Sequence, residues 1–223
     1  MKTNQNNKLR QILYLAIVIY VGTAIYAFVY NYRMNDMRGI GMGVVALLTP
    51  WLIPILFKIV KLKASDEIYL LNIIFIYFAS LIGSCLGGYG LPFFDKALHF
   101  SSGIFATILA MMLYSWIKHT KKAETQADKA IFFIFINAVN MAIALLWEFY
   151  EYSMLIFFNN DCINHYSTGV HDSITDMLCA FTAGLIITAL VVRYYKTGKK
   201  EFFISLYEKF YDMNIEGQKP LFK

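Results

Sequence analysis

The chain has 223 residues, of which 58% are hydrophobic and only 16% charged, with a mean hydropathy of +0.51. A water-soluble domain carries charge on about a quarter of its residues, so this composition excludes an ordinary soluble globular fold. The net charge of +5 does not call for nucleic acid, because the basic residues flank apolar blocks, where they set membrane topology and attract anionic lipid.

A helix that crosses the hydrocarbon needs about 20 mostly apolar residues. Six blocks meet that length: residues 12–30, 39–60, 68–86, 97–117, 130–150 and 173–192. They are continuously apolar and do not alternate, which predicts helices and excludes a barrel. The expected fold is all-α: a polytopic six-transmembrane-helix bundle. Its parts are an amino-terminal segment (1–11), a membrane domain (12–195) and a tail (196–223).

The opening segment, with Lys2, Lys8 and Arg10, has the basic start of a signal peptide. The apolar run after it is too long for one and lacks a small-x-small cleavage site, which predicts a retained first crossing. The second block starts at Gly39, Gly41 and Gly43, with no preceding strand and no dinucleotide fingerprint. Pro50 and Pro54 predict a kink inside it. In the third block Ser80, Gly83, Ser84, Gly87 and Gly88 allow close approach of neighbouring backbones.

The fourth block opens with Asp95-x-x-x-His99, the fifth closes with Glu148-x-x-Glu151, and the sixth opens with His171-Asp172-x-x-x-Asp176. Beyond it, Phe202, Phe203, Leu206 and Phe210 recur at helical spacing. They predict an amphipathic helix, either lying in the membrane interface or packed on the loops of the bundle.

The basic residues orient the chain. With the amino terminus, the 58–67 and 118–129 connections and the tail on one side, 17 Lys and Arg lie there, against three (Arg33, Arg38 and Lys96) on the other. The positive-inside rule makes the first side cytoplasmic, with both termini there. The expected location is the plasma (inner) membrane of a bacterium; the Lys-, Asn-, Ile- and Tyr-rich usage suggests a low-GC one.

This orientation brings all three acidic clusters to the outer leaflet. At 100° per residue, Asp95, His99, Ser102, Ala106 and Ala110 share one face of the fourth crossing. Asn137, Asn140, Ala144, Glu148 and Glu151 share a face of the fifth, and Asp172, Asp176, Cys179 and Ala183 a face of the sixth. Such stripes favour one another over lipid, which predicts a shared polar cavity open to the outside.

Carboxylates and imidazoles at i, i+3 and i, i+4 on facing helices are how bundles build metal sites. The candidate ligands are Asp95, His99, Glu148, Glu151, Asp172 and Asp176, for a divalent ion such as Zn, Mn or Mg. A hydrolytic centre on these parts would use Glu148 or Asp176 as the catalytic carboxylate.

Two plainer readings stand beside this one. The residues could form a structural hydrogen-bond network, or be interfacial charges of small cost. Acids in a first helical turn complement the dipole, which accounts for Asp95 and Asp172 but not for Glu148 and Glu151 near a helix carboxyl end.

His165 reads as a loop residue, His119 as part of the basic loop, and His171 is open. Ser102 shares a face with His99, but a helical Ser more often bonds to its own backbone, and no GxSG is present. Trp116, Trp147 and Tyr150 read as an aromatic belt. Cys85, Cys162 and Cys179 lack CxxC spacing and are expected as free thiols, with a Cys85–Cys162 bridge as the alternative.

The stretches Asp95-Lys-Ala-Leu-His99-Phe-Ser-Ser-Gly103, Trp147-Glu-Phe-Tyr-Glu151 and Asp172-Ser-Ile-Thr-Asp176-Met177, with Gly184, resemble the YjdF-like family of bacterial inner-membrane proteins and, more distantly, the VanZ-like proteins. The resemblance covers residues 90–184. It departs from the YjdF-like pattern at Gly169 and His171, where that family carries Asp and Trp. It implies the helical bundle and weight on the acidic residues. It brings no established reaction, and the VanZ-like members hint only at envelope biology.

Three functions follow as expectations. The first is a metal-dependent enzyme acting on a lipid or lipid-linked envelope precursor. The second is a cation or proton-coupled transporter using Asn137 and Asn140. The third is a lipid-binding or assembly protein without catalysis. The signatures of the PAP2 phosphatases, CDP-alcohol transferases and CAAX-type proteases are absent. Membrane lipids are the expected partners, and nucleic acid is not.

Overall fold

The structure is a computed structural model that describes residues 2–218, with side chains from residue 7 onward. Met1 and residues 219–223, the end of the expected tail with two of its counted lysines, lie outside the described residues. Among the described residues the regular structure is helical throughout, with no strand. The elements are α1 (Lys2–Arg33), α2 (Met37–Leu48), a 3-10 turn (Thr49–Trp51), α3 (Leu52–Ile59), α4 (Asp66–Ile76) running into a π-helical stretch (Tyr77–Cys85), a second 3-10 turn (Gly88–Gly90), α5 (Phe94–Lys118), α6 (Gln126–Phe158), the short α7 (His165–Thr168), α8 (His171–Thr197) and α9 (Phe202–Asn214).

Six helical stretches are long and apolar enough to cross a membrane: Asn7–Arg33, Met37–Ile59, Asp66–Cys85, Phe94–Lys118, Gln126–Phe158 and His171–Thr197. Each contains the body of one expected block. Their outer faces carry large apolar side chains that nothing among the described residues covers, such as Ile134, Leu146 and Leu178; such faces suit hydrocarbon and not water. The fifth crossing departs most from expectation. α6 has 33 residues and is about 50 Å long at 1.5 Å per residue, so it continues for nearly two turns beyond Glu151.

The chain folds as two compact units, Met1–Phe94 and Asp95–Lys223. In the first, α1 packs against α2 and α4, and α2 against the π-helical stretch. Tyr20, Ala24, Ala27, Ala46, Leu81 and Cys85 form its buried centre. Small residues set the approach of its helices. A Cβ on Gly39 would stand 2.5 Å from the Asn31 side chain, which is itself buried and donates to the Cys85 carbonyl at 3.1 Å. The predicted kink is an interruption: Pro50 offers no N–H, the backbone tightens into the 3-10 turn, and α3 resumes after it. The Pro50 carbonyl accepts from Asn72 Nδ2 at 2.8 Å, which keeps that polar group paired away from water.

In the second unit α6 packs along α8. α5 meets α8 at Gly103, where an added Cβ would lie 2.4 Å from the Ala180 carbonyl oxygen. α9 adopts the packed alternative. Ile204, Leu206, Tyr207 and Phe210 are buried while Phe202 is exposed. The Tyr207 hydroxyl donates to the Lys121 carbonyl at 2.8 Å, Lys121 pairs with Asp212 at 2.6 Å, and Lys200 Nζ lies 2.5 Å from Glu208, which also accepts from the Tyr194 hydroxyl. Cys85, Cys162 and Cys179 are thiols and form no disulfide.

Candidate functional site

The second unit assembles its ionisable residues from three helices. Asp95, Lys96 and His99 occupy the first turns of α5, and Asp172 and Asp176 those of α8. Glu148 and Glu151 come from α6, whose direction brings its later turns alongside those starts. Alternating direction, which follows from short connections, is the reason residues so far apart in sequence share one end of the unit.

His99 is the meeting point. Its Nε2 lies 3.4 Å from Asp95 Oδ1 and 3.8 Å from Asp176 Oδ1. Ligand atoms of Asp95, His99 and Asp176 lie within 4.8 Å of one another, and so do those of His99, Glu148 and Glu151. The two groups share the imidazole. Asp172 belongs to neither: its Oδ1 takes the Lys96 ammonium at 2.5 Å and its Oδ2 accepts from Asn164 Nδ2 at 2.7 Å.

Lys96 is the residue that sequence reasoning missed. Its ammonium also reaches Asp176 Oδ1 at 2.7 Å and Asp95 Oδ2 at 3.3 Å, so one cation stands among three carboxylates. The signal was available: Lys96 is one of only three basic residues assigned to that side, and it directly follows Asp95. A topology-setting charge is a sufficient explanation of it from sequence alone.

Glu148 is in a different position. It is 6% exposed, and neither carboxylate oxygen has a hydrogen-bond partner. The Ser173 hydroxyl approaches it without closing a bond. Glu151 Oε1 accepts from Trp147 Nε1 at 2.9 Å, which gives Trp147 a role beyond the aromatic belt. Leaving an ionised carboxylate buried and unpaired costs several kcal/mol, so this half of the cluster is suited to a proton or a cation.

Several expectations change. The site is a mostly buried cluster and not an open cavity: His99, Glu148, Asp172 and Asp176 are buried, Glu151 is half-buried, and the side chains of Asp95 and Lys96 are about a quarter exposed. Glu148 and Glu151 are not at a helix carboxyl end, since α6 runs on to Phe158. Ser102 donates to the His99 carbonyl at 2.8 Å and forms no dyad with the imidazole. His171 and His165 are exposed.

Below the acids lies an amide layer. Asn140 is fully buried and donates to the Ala180 carbonyl at 2.8 Å, and Asn137 donates to Thr188 Oγ1 at 2.8 Å. The Oδ1 atoms of both are buried without a partner. Gly184 makes room for them, as a Cβ there would stand 2.4 Å from Asn140 Nδ2.

As to known proteins, no curated protein and no solved structure matches this chain. One family does. Residues 9–197, which take in five of the six helices in full, the first from its third residue, and every member of the cluster, match the family described as "Predicted membrane protein (DUF2238)", and the chain belongs to that family.

Proposed function

We propose that the cluster is a divalent-cation centre of a metal-dependent enzyme that acts at the outer leaflet of a bacterial plasma membrane on a lipid or lipid-linked envelope precursor. The observation that carries this reading is Glu148: a buried carboxylate with two unpartnered oxygens, within ligand reach of His99 and Glu151. One imidazole and two carboxylates are a donor set that suits Zn or Mn. Three protein ligands also match the open coordination of catalytic centres, where a bound cation supplies Lewis acidity. Asp176, beside His99 and held by Lys96, is the carboxylate placed to handle a proton.

Five carboxylates stand against one ammonium. An anionic phosphate would meet repulsion here until a cation is bound, so lipid phosphate chemistry at this place depends on the metal. The resemblance of the three site motifs to YjdF-like proteins supports a shared role for these residues, and the excess of basic residues on the opposite side supports the outward assignment with cytoplasmic termini.

The test is metal analysis of the purified full chain in detergent, wild type beside Glu148→Ala, His99→Ala and Asp172→Asn. The expected result is one equivalent of Zn or Mn in the wild type and in Asp172→Asn, and at least a tenfold loss of affinity in the other two. A wild-type protein that takes up no divalent metal overturns the reading.

A second reading is favoured by one observation. The unpartnered oxygens of Asn137 and Asn140 continue the α6 stripe about 12 to 17 Å beyond Glu148, at 1.5 Å per residue, as a cation-transport pathway would. Proteoliposome flux of Mn or protons that is lost on Glu148→Gln supports it; flux indifferent to that change counts against it.

A further inference from the structure

We propose that Lys96 is a tethered cation: it fills the second of two cation positions in the cluster and so confines an exogenous divalent ion to the Glu148–Glu151 side. The inference rests on the reading of His99, Glu148 and Glu151 as a cation site, and assigns the residue that decides how many ions the centre takes and where.

By donor type and spacing the two halves of the cluster are alike. Each offers three ligand atoms within 4.8 Å of one another, and each counts His99; a neutral imidazole has one free lone pair, so with both halves filled it serves the glutamate side and Asp172 joins Asp95 and Asp176 on the other. They differ in what already occupies them. On the Asp95–Asp176 side the ammonium of Lys96 lies 2.7 Å from Asp176, 2.5 Å from Asp172 and 3.3 Å from Asp95. These are the contacts of a bound cation, made by a group on the chain's own backbone. An incoming ion would have to expel that ammonium and meet its repulsion at short range.

On the other side no ammonium or guanidinium pairs with Glu148 or Glu151 among the described residues. The Glu148 carboxylate, more than nine-tenths buried and unpartnered, is the independent sign that something positive belongs there. Lys96 therefore lets α5 and α8 bring three aspartates together without a free ion, and among the described residues of the cluster it leaves Glu148 and Glu151 without a cationic partner.

The proposal is tested by equilibrium dialysis of the purified full chain in detergent against Mn, with bound metal counted by mass spectrometry. The wild type and Lys96→Arg are expected to bind one ion, and Lys96→Gln two. Glu148→Ala is expected to bind none, while Lys96→Gln combined with Glu148→Ala regains one at the aspartate side. If Lys96→Gln fails to give a monodisperse protein, Lys96→Gln with Asp172→Asn relieves the extra charge and is expected to bind two. A neutral Lys96 variant whose count stays at the wild-type value overturns the proposal. A wild type that binds none while Lys96→Gln binds one would overturn the His99–Glu148–Glu151 site and leave the tethered cation standing.

Discussion

At the scale of single residues, the helices of the second unit are held at their approach by the absence of side chains. Gly103 faces the backbone of Ala180 closely enough that a methyl group would fall 2.4 Å from its carbonyl oxygen and 2.6 Å from its Cα. Backbone cannot step aside as a flexible side chain can, so Gly103→Ala is expected to destabilise by about 1 to 3 kcal/mol, as overpacked cores do. The check is the midpoint of thermal unfolding in detergent, with Gly41→Ala, whose Cβ meets nothing within 4 Å, remaining near wild type. The same contact positions α5 against α8, so Gly103→Ala should also weaken any metal bound by His99. Six acidic and imidazole members of the cluster were legible in the sequence because helical spacing and alternating direction force them together. Lys96 was not, because a basic residue at a helix start has a sufficient explanation in topology, and only coordinates show where a long flexible side chain ends.

Among the elements, α9 shows how an amphipathic tail can turn its apolar face to protein. Spacing alone could not distinguish a membrane face from a protein face, since both are apolar. The distinction rests on polar groups buried with partners, above all Glu208. Burial by itself would raise the Glu208 carboxyl, but the Lys200 ammonium, the Tyr194 hydroxyl and the nearby Lys121 outweigh it and hold the group below its ordinary value of 4.5. A carboxyl that holds its proton less tightly when folded lends its full contribution above the unfolded value and loses it as pH falls through the folded one. α9 is therefore expected to stay docked at neutral pH and to loosen below about pH 4.5, seen as faster amide exchange over Phe202–Asn214 while the crossings remain protected. Glu208→Gln should loosen it at pH 7 as well. An α9 whose exchange is indifferent to both changes would show that its apolar face alone secures it.

For the whole molecule, each unit contributes three helices long and apolar enough to cross a membrane, and the distribution of 17 basic residues against three predicts their orientation. The six helices were readable because twenty-residue apolar runs have few alternatives. The ends of the runs were less so: helices continue past the point where hydropathy falls, as α6 does. Orientation is tested with a membrane-impermeant maleimide. Cys162, partly exposed in the connection between α6 and α8, should label in intact cells when it is the only cysteine, and a cysteine placed at Lys199 should label only after lysis. The opposite pattern reverses the molecule and puts the cluster inside. The length of α6 has one more effect. Ile156, Phe157 and Phe158 extend beyond Glu151 with their rings and chains uncovered, over a further stretch of about 10 Å at helical rise. A greasy rim of that height would sink into the headgroup layer and draw the carboxylates below it, so that a molecule dissolved in the leaflet reaches them sideways more readily than one arriving from bulk water.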